Sequence, residues 1–223
     1  MTYSILVRDA GTGHFGAAAA TGSLCVGGWV LRGDPRAGLS ASQGAAPSTF
    51  WGEDVLARMR GGATPEAAVA AVTAADPGRE ARQLAALGAE GDGAAFTGEH
   101  NTPARGSLSG AGWIAAGNLL TGTDVLEATA GAVMASGESL ADRLMAGLRA
   151  GADAGGDSRG LMSAALLILG ADIPPLTLRI DHSDAPLDAL EALLARSRAP
   201  DYADWLTTVP VLDDPGRRGP AGA

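Results

Sequence analysis

One cysteine, Cys25, is all the thiol this 223-residue chain has. A single thiol excludes an internal disulfide and any thiolate metal cluster. Histidine is nearly as scarce, with His14, His100 and His182 standing far apart. Asp181-His182-Ser183-Asp184 sets two ligand types side by side, but without further partners it reads as a solvated turn before the last helix. Aromatic residues make up 4% of the chain, and 16 basic residues face 25 acidic ones for a formal charge of −9. Nucleic acids and anionic membranes need a basic face, so neither is an expected partner. The longest strongly apolar run, 161–169, is far too short to span a bilayer. Arg8 and Asp9 interrupt the start and no apolar signal core follows, so a cytoplasmic protein is expected.

What the chain has in plenty is alanine and glycine, with 33 glycines, and enough length to bury a real core. The opening stretch alternates, with Tyr3, Ile5 and Val7 on one side and Thr2, Ser4, Leu6 and Arg8 on the other. That period reads as a strand. A turn at 9–13 and a small-residue strand at 14–21 complete a hairpin over 2–21. Strands are expected at 28–31 and 37–43, then helices at 50–60 and 65–75, the second capped by Thr64 and Pro65 and broken at Asp76-Pro77-Gly78. A second hairpin spans 82–97 and a polar surface loop 98–110, followed by a strand from 112 into Gly117-Asn118. Helices at 124–135 and 140–150 flank a turn at Gly137-Glu138-Ser139. A Gly/Asp-rich loop (151–160), strands at 162–169 and 176–180, and a helix at 187–196 complete the body. Grouped strands imply antiparallel sheets covered by helix pairs, an α+β protein with one domain over 1–197 and a partly irregular tail, 198–223.

Two motifs compete for the chemistry. Gly11-Thr12-Gly13-His14-Phe15-Gly16 has the G-x-G-x-x-G spacing, with Asp34 downstream. Dinucleotide binding would need a helix to start at these glycines, whereas the following residues read as a returning strand. The second motif is Thr2. If Met1 is removed, the α-amine and the hydroxyl share one residue, and an amine titrating near pH 8 can activate that hydroxyl as a nucleophile. Polar strand ends at Ser42-Gln43 and Gly117-Asn118 could supply oxyanion donors, and Asp153, Asp157 and Arg159 lie in a loop of the kind that carries function.

Taken together, several segments resemble the DUF1028 family. These are Thr2-Tyr3-Ser4-Ile5 with Arg8-Asp9, Ser42-Gln43, Asp76-Pro77-Gly78-Arg79-Glu80 with Arg82-Gln83, Gly117-Asn118-Leu119-Leu120, Gly155-Gly156-Asp157-Ser158-Arg159-Gly160 and Leu178-Arg179-Ile180-Asp181-His182. The resemblance spans about 2–197. It implies the N-terminal-nucleophile (Ntn) hydrolase fold, a four-layer αββα sandwich. It also implies an amidohydrolase acting through acyl-Thr2, with Asn118 as oxyanion donor and Asp157 with Arg8 or Asp9 orienting the amine. Ser42, Gln43 and Ser163 would be hydrogen-bond partners of a small-molecule substrate. That chemistry needs neither metal nor organic cofactor. Where family members carry a Trp-Ala-Gly-His-like segment, this chain reads Ala104-Arg105-Gly106-Ser107, and a Lys-Phe-like pair is replaced by Gly22-Ser23. These departures favour a second class of function: a catalytically silent Ntn-fold protein that binds a small ligand or assembles with further copies of itself.

Overall fold

The opening alternation becomes the interior of a sheet. The computed structural model describes residues 2–135 and 138–219; Met1, and Gly137 of the expected turn, lie outside them. β1 (Thr2–Arg8) pairs antiparallel with β2 (Phe15–Thr21), in register from Thr2 opposite Thr21 to Arg8 opposite Phe15. In the loop between them the Asp9 carboxylate accepts from the Thr12 N–H at 3.1 Å and the Thr12 hydroxyl at 2.8 Å, and Gly13 takes φ +75°. No helix begins at these glycines. The dinucleotide reading is thereby overturned, since no helix N-terminus is available to meet a pyrophosphate.

The strand expected at 28–31 is instead a one-turn helix, α1 (Val26–Trp29), followed by β3 (Leu31–Asp34) and β4 (Gly38–Gly44). Ser163 Oγ accepts from the Val26 N–H at 3.1 Å and starts that turn. A Cβ at Gly27 would sit 2.7 Å from Ala165 Cβ, so glycine lets the turn lie flat on its neighbour. Next come α2 (Trp51–Arg60) and α3 (Pro65–Ala74), whose cap Thr64 accepts from the Ala67 N–H as expected. A short 3-10 turn leads to β5 (Arg82–Gly88) and β6 (Gly93–Thr97). Within the expected surface loop lies β7 (Gly106–Gly110), an exposed edge strand held by pairing to β8 (Trp113–Asn118). Its Gly/Ser composition gave no alternation to read.

The remaining elements are α4 (Asp124–Met134), α5 (Leu140–Asp153), β9 (Ser163–Leu169), β10 (Leu176–Ile180), α6 (Pro186–Ser197) and α7 (Pro200–Leu206). The last of these gives the tail a helix of its own. α4 and α5 approach closely because Gly147 leaves room where a Cβ would lie 2.3 Å from Val133 and 3.0 Å from the Thr129 carbonyl.

Two antiparallel sheets result, one of order β10-β9-β2-β1-β8-β7 and one of order β3-β4-β5-β6. Three apolar clusters hold them. Tyr3, Ile5 and Val7 pack with Leu126, Leu144, Leu148 and Leu190 of the helices. Leu6, Ala17 and Ala19 meet Leu39, Ala41 and Leu87 of the other sheet. Leu84 and Ala86 pack on Val55, Leu56, Val69 and Val72. The two sides of the β1 alternation are therefore assigned: odd positions to helices, even positions to the facing sheet. No described helix is long and apolar enough to cross a membrane.

Candidate active site

The inter-sheet layer is apolar along most of its length and polar at one end. There, strand register lines up Asn118, Thr2, Thr21 and Ser163 across β8, β1, β2 and β9. Directly opposed residues share a face, and this one looks toward the second sheet. In that sheet, register makes a second row of Gln43, Gln83 and Thr97 across β4, β5 and β6.

The rows are stitched together. Gln43 Nε2 donates to Gln83 Oε1 at 2.7 Å and to the Thr2 carbonyl at 3.4 Å, and Ser4 Oγ donates to Gln43 Oε1 at 2.9 Å. Asn118 Nδ2 donates to the same Gln83 oxygen at 3.1 Å. Gln83 Nε2 has Thr97 Oγ1 and the Gly106 and Gly117 carbonyls within 2.9 to 3.1 Å. Its two N–H groups are thus fully used.

Thr2 is 5% exposed, and its Oγ1 donates to Thr21 Oγ1 at 3.3 Å. Both hydroxyls line a cavity of about 470 Å³ with Gln43, Trp29, Thr102 and Arg159. That volume suits a small molecule. Leu24 and Trp29 stand half exposed on its rim.

The loop 154–160 closes one side, anchored where Asp157 bridges to Leu120 just past β8. Asp157 Oδ2 accepts from the Gly22 N–H at 2.6 Å and Arg159 Nη2 at 2.9 Å. Its Oδ1 accepts from the Arg159 backbone N–H at 2.9 Å and Nε at 3.1 Å. Burial alone would push this carboxyl up, but the Arg159 side chain and the Arg159 and Gly22 amides outweigh it and hold it below the usual range.

The two non-glycine residues with positive φ among the described residues, Cys25 (+63°) and Leu119 (+54°), immediately precede cavity-lining Val26 and immediately follow Asn118. Backbone strain of this kind gathers at functional sites.

A family model described as "Family of unknown function (DUF1028)" matches residues 2–190. The chain belongs to the DUF1028 family. It is similar to protein SPO2555 from Silicibacter pomeroyi, whose crystal structure has a TM-score of 0.93 at 54% identity, over 97% of this chain and 98% of that one. Eukaryotic HslV from Trypanosoma brucei aligns at a TM-score of 0.46 and 15% identity, over 75% of this chain and 99% of that one. No curated protein matches.

Of the residues expected at the site, this DUF1028 chain brings Thr2, Gln43, Asn118, Asp157 and Ser163 to one end of the sheets. Only Thr2 and Gln43 of these line the cavity. Asn118 sits beside Thr2 but is tied to Gln83. Both Asp157 oxygens are occupied, and no hydrogen bond joins Asp157 to Thr2 among the described residues. Ser163 is buried, its Oγ donating to the Ser23 carbonyl at 2.7 Å, so it holds the cavity wall.

Three expectations are corrected. Ser42 follows the opposite parity from Gln43, and its Oγ donates to the Ser48 carbonyl at 2.7 Å, on the side of α2. Arg8 and Asp9 lie at the far end of β1, about 20 Å of strand from Thr2, so neither orients its amine. Asp9 instead pairs with Arg143 at 2.5 Å; burial would raise its carboxyl, but Thr12 and Arg143 hold it low. That end borders a larger cavity of about 820 Å³, lined by Asp9, His14 and Arg143 among others. It is larger than the cavity at Thr2 but holds no residue of the polar rows.

The sequence reading missed Thr21, Gln83 and Trp29 as site residues. Thr21 was within reach, because a hairpin over 2–21 pairs its two ends. Gln83 stands in the Arg82-Gln83 segment of the family resemblance, but nothing in that segment marks it as facing Thr2. Among the described residues, no group of three or more His, Cys, Asp or Glu is placed to hold a metal ion.

Proposed function

We propose that this DUF1028 protein is an Ntn-type amidohydrolase, its two sheets and flanking helices forming the αββα sandwich of that class. The observation that carries the reading is the placement of Thr2: first described residue of an interior strand, nearly buried, with its hydroxyl on a small-molecule-sized cavity. Removal of Met1 turns the Thr2 amide nitrogen into an amine. The amine takes the proton from Oγ1 as Oγ1 bonds to the substrate carbonyl carbon. Burial disfavours the ammonium form, which leaves the amine available as base near neutral pH. Asn118, directly opposite Thr2 on β8 and behind the cavity lining, has one N–H on Gln83 and is the candidate to turn its second toward the oxyanion as the intermediate forms. The C–N bond then breaks, the leaving amine receives the proton, and water cleaves the acyl-Thr2 ester to restore the hydroxyl.

The experiment is intact-mass analysis of untagged protein after exposure to a β-lactone. A single adduct on Thr2, lost in Thr2→Ala, supports the enzyme. The tie between Asn118 and Gln83 favours a second reading, a silent ligand-binding protein. That reading predicts saturable binding in the same cavity with no adduct, and retained Met1 would select it outright.

A further inference from the structure

Arg159 is the one charged side chain among the described residues lining the Thr2 cavity. Its Nε and Nη2 lie side-on against the two Asp157 oxygens, and Nη2 also donates to Ser23 Oγ at 3.1 Å. A guanidinium has five N–H donors. These contacts occupy the Nε and Nη2 edge, and among the described residues Nη1 has no protein partner. With the side chain 40% exposed, that free edge is accessible.

The pair differs from the other arginine–carboxylate contacts of this chain. The Asp157 side chain is 0% exposed, whereas the carboxylates of the other arginine pairs among the described residues range from 15% at Asp34 to 71% at Asp188. Burying a carboxylate is unfavourable unless every lone pair is used, and here four donors meet it. If the pair served only to pin the loop 154–160, the Gly22 and Arg159 amides on Asp157 would already do so. What the pair adds is an arginine whose rotamer is fixed before any ligand arrives, with one edge directed away from its partner. A pre-oriented guanidinium edge is suited to a carboxylate, which it binds through charge-assisted hydrogen bonds. The rest of the lining gives such a ligand hydroxyls at Thr2, Thr21 and Thr102 and an apolar wall at Leu24, Val26 and Trp29.

We propose that Arg159 Nη1 binds a carboxylate of the substrate, so that the substrate class is a small carboxylate-bearing amide with an apolar body, such as an N-acylated amino acid. Asp157 is then a positioning residue for Arg159 and takes no part at the scissile bond. The assignment rests on the reading of this cavity as the substrate site, but its binding step does not require Thr2 to react.

The test separates binding from chemistry. Calorimetry measures N-benzoylglycine and its methyl ester against wild type, Thr2→Ala, Arg159→Met and Arg159→Lys. Wild type and Thr2→Ala should bind the free acid at least tenfold tighter than the ester. Arg159→Met should abolish the preference. Arg159→Lys keeps a cation on Asp157 and guards against misfolding, but a compact ammonium held against Asp157 has no second, separately directed nitrogen to present to the cavity, so it too should lose the preference. Equal affinity for acid and ester in wild type, no binding of either, or a preference that survives in a folded Arg159→Lys overturns the assignment. Acid-selective binding without any β-lactone adduct on Thr2 would instead sink the nucleophile reading and leave Arg159 in place.

Discussion

Gln43 and Gln83 stand directly opposite one another on β4 and β5, buried, with Gln43 Nε2 donating to Gln83 Oε1 at 2.7 Å. From that cross-strand pair the second sheet reaches the first, through the Thr2 carbonyl and the Asn118 amide. A small polar assembly thus fixes the strand of Thr2 against the facing sheet. It replaces packing that elsewhere in the layer is supplied by alanine and leucine.

Gln83→Leu should therefore destabilise the fold by about 1–3 kcal/mol, because Gln43 and Asn118 are left as buried donors without their acceptor. The double variant Gln43→Leu/Gln83→Leu should lose less than the sum of the two single losses, since residues in one network couple by roughly 0.5–3 kcal/mol. Urea unfolding of the four proteins measures both quantities. Strict additivity would mean that the pair is not coupled.

The chain contains no lysine. Once Met1 is removed, the Thr2 α-amine is the only primary amine in the protein. An amine-reactive reagent should add once, at Thr2. Peptide mapping checks the position. A label found on Met1 would remove the nucleophile.

Acid stability should report on Asp157. Its carboxyl is held below the ordinary value, so its contribution is complete above the unfolded pKa of about 3.9 and is lost as pH falls through the lower folded value. Other carboxylates erode in the same window, so the measured quantity is the difference between wild type and Asp157→Asn. That difference should be largest near pH 6 and shrink below pH 4. A gap that stays constant down to pH 2 would contradict the assignment.

Two glycine substitutions should act in opposite directions. A Cβ at Gly22 would lie 2.5 Å from the Gly160 carbonyl and 3.0 Å from the Asp157 carboxyl, so Gly22→Ala should destabilise by roughly 1–3 kcal/mol and displace Arg159. At Gly131, exposed within α4, a Cβ meets nothing within 4 Å. Gly131→Ala should stabilise by about 0.5–1 kcal/mol through helix propensity alone. Thermal melts decide both signs.

Local physics made much of the fold readable. The period-two pattern from Tyr3 to Val7 separated a helix-facing side from a sheet-facing side, as the clusters around Ile5 and Leu6 show. Thr64-Pro65 and Asp76-Pro77-Gly78 set the limits of α3, because a cap, a first-turn proline and a breaker act within a few residues of themselves. Thr2 itself could be singled out, since its amine and hydroxyl belong to one residue. Tertiary structure decided the rest. Whether Ser42 or Gln43 turns toward Thr2 depends on which face of β4 is covered by the other sheet. The rows that bring Asn118, Thr2 and Thr21 together, and Gln43 to Gln83, depend on hydrogen-bond register between strands distant in sequence. The Asp157 carboxylate that lies side-on to Arg159 in the same loop also takes the N–H of Gly22, just past β2 and 135 residues away in sequence. No pattern within one strand or loop encodes such a partner, so composition and periodicity could place Thr2 on a strand but could not place what surrounds it.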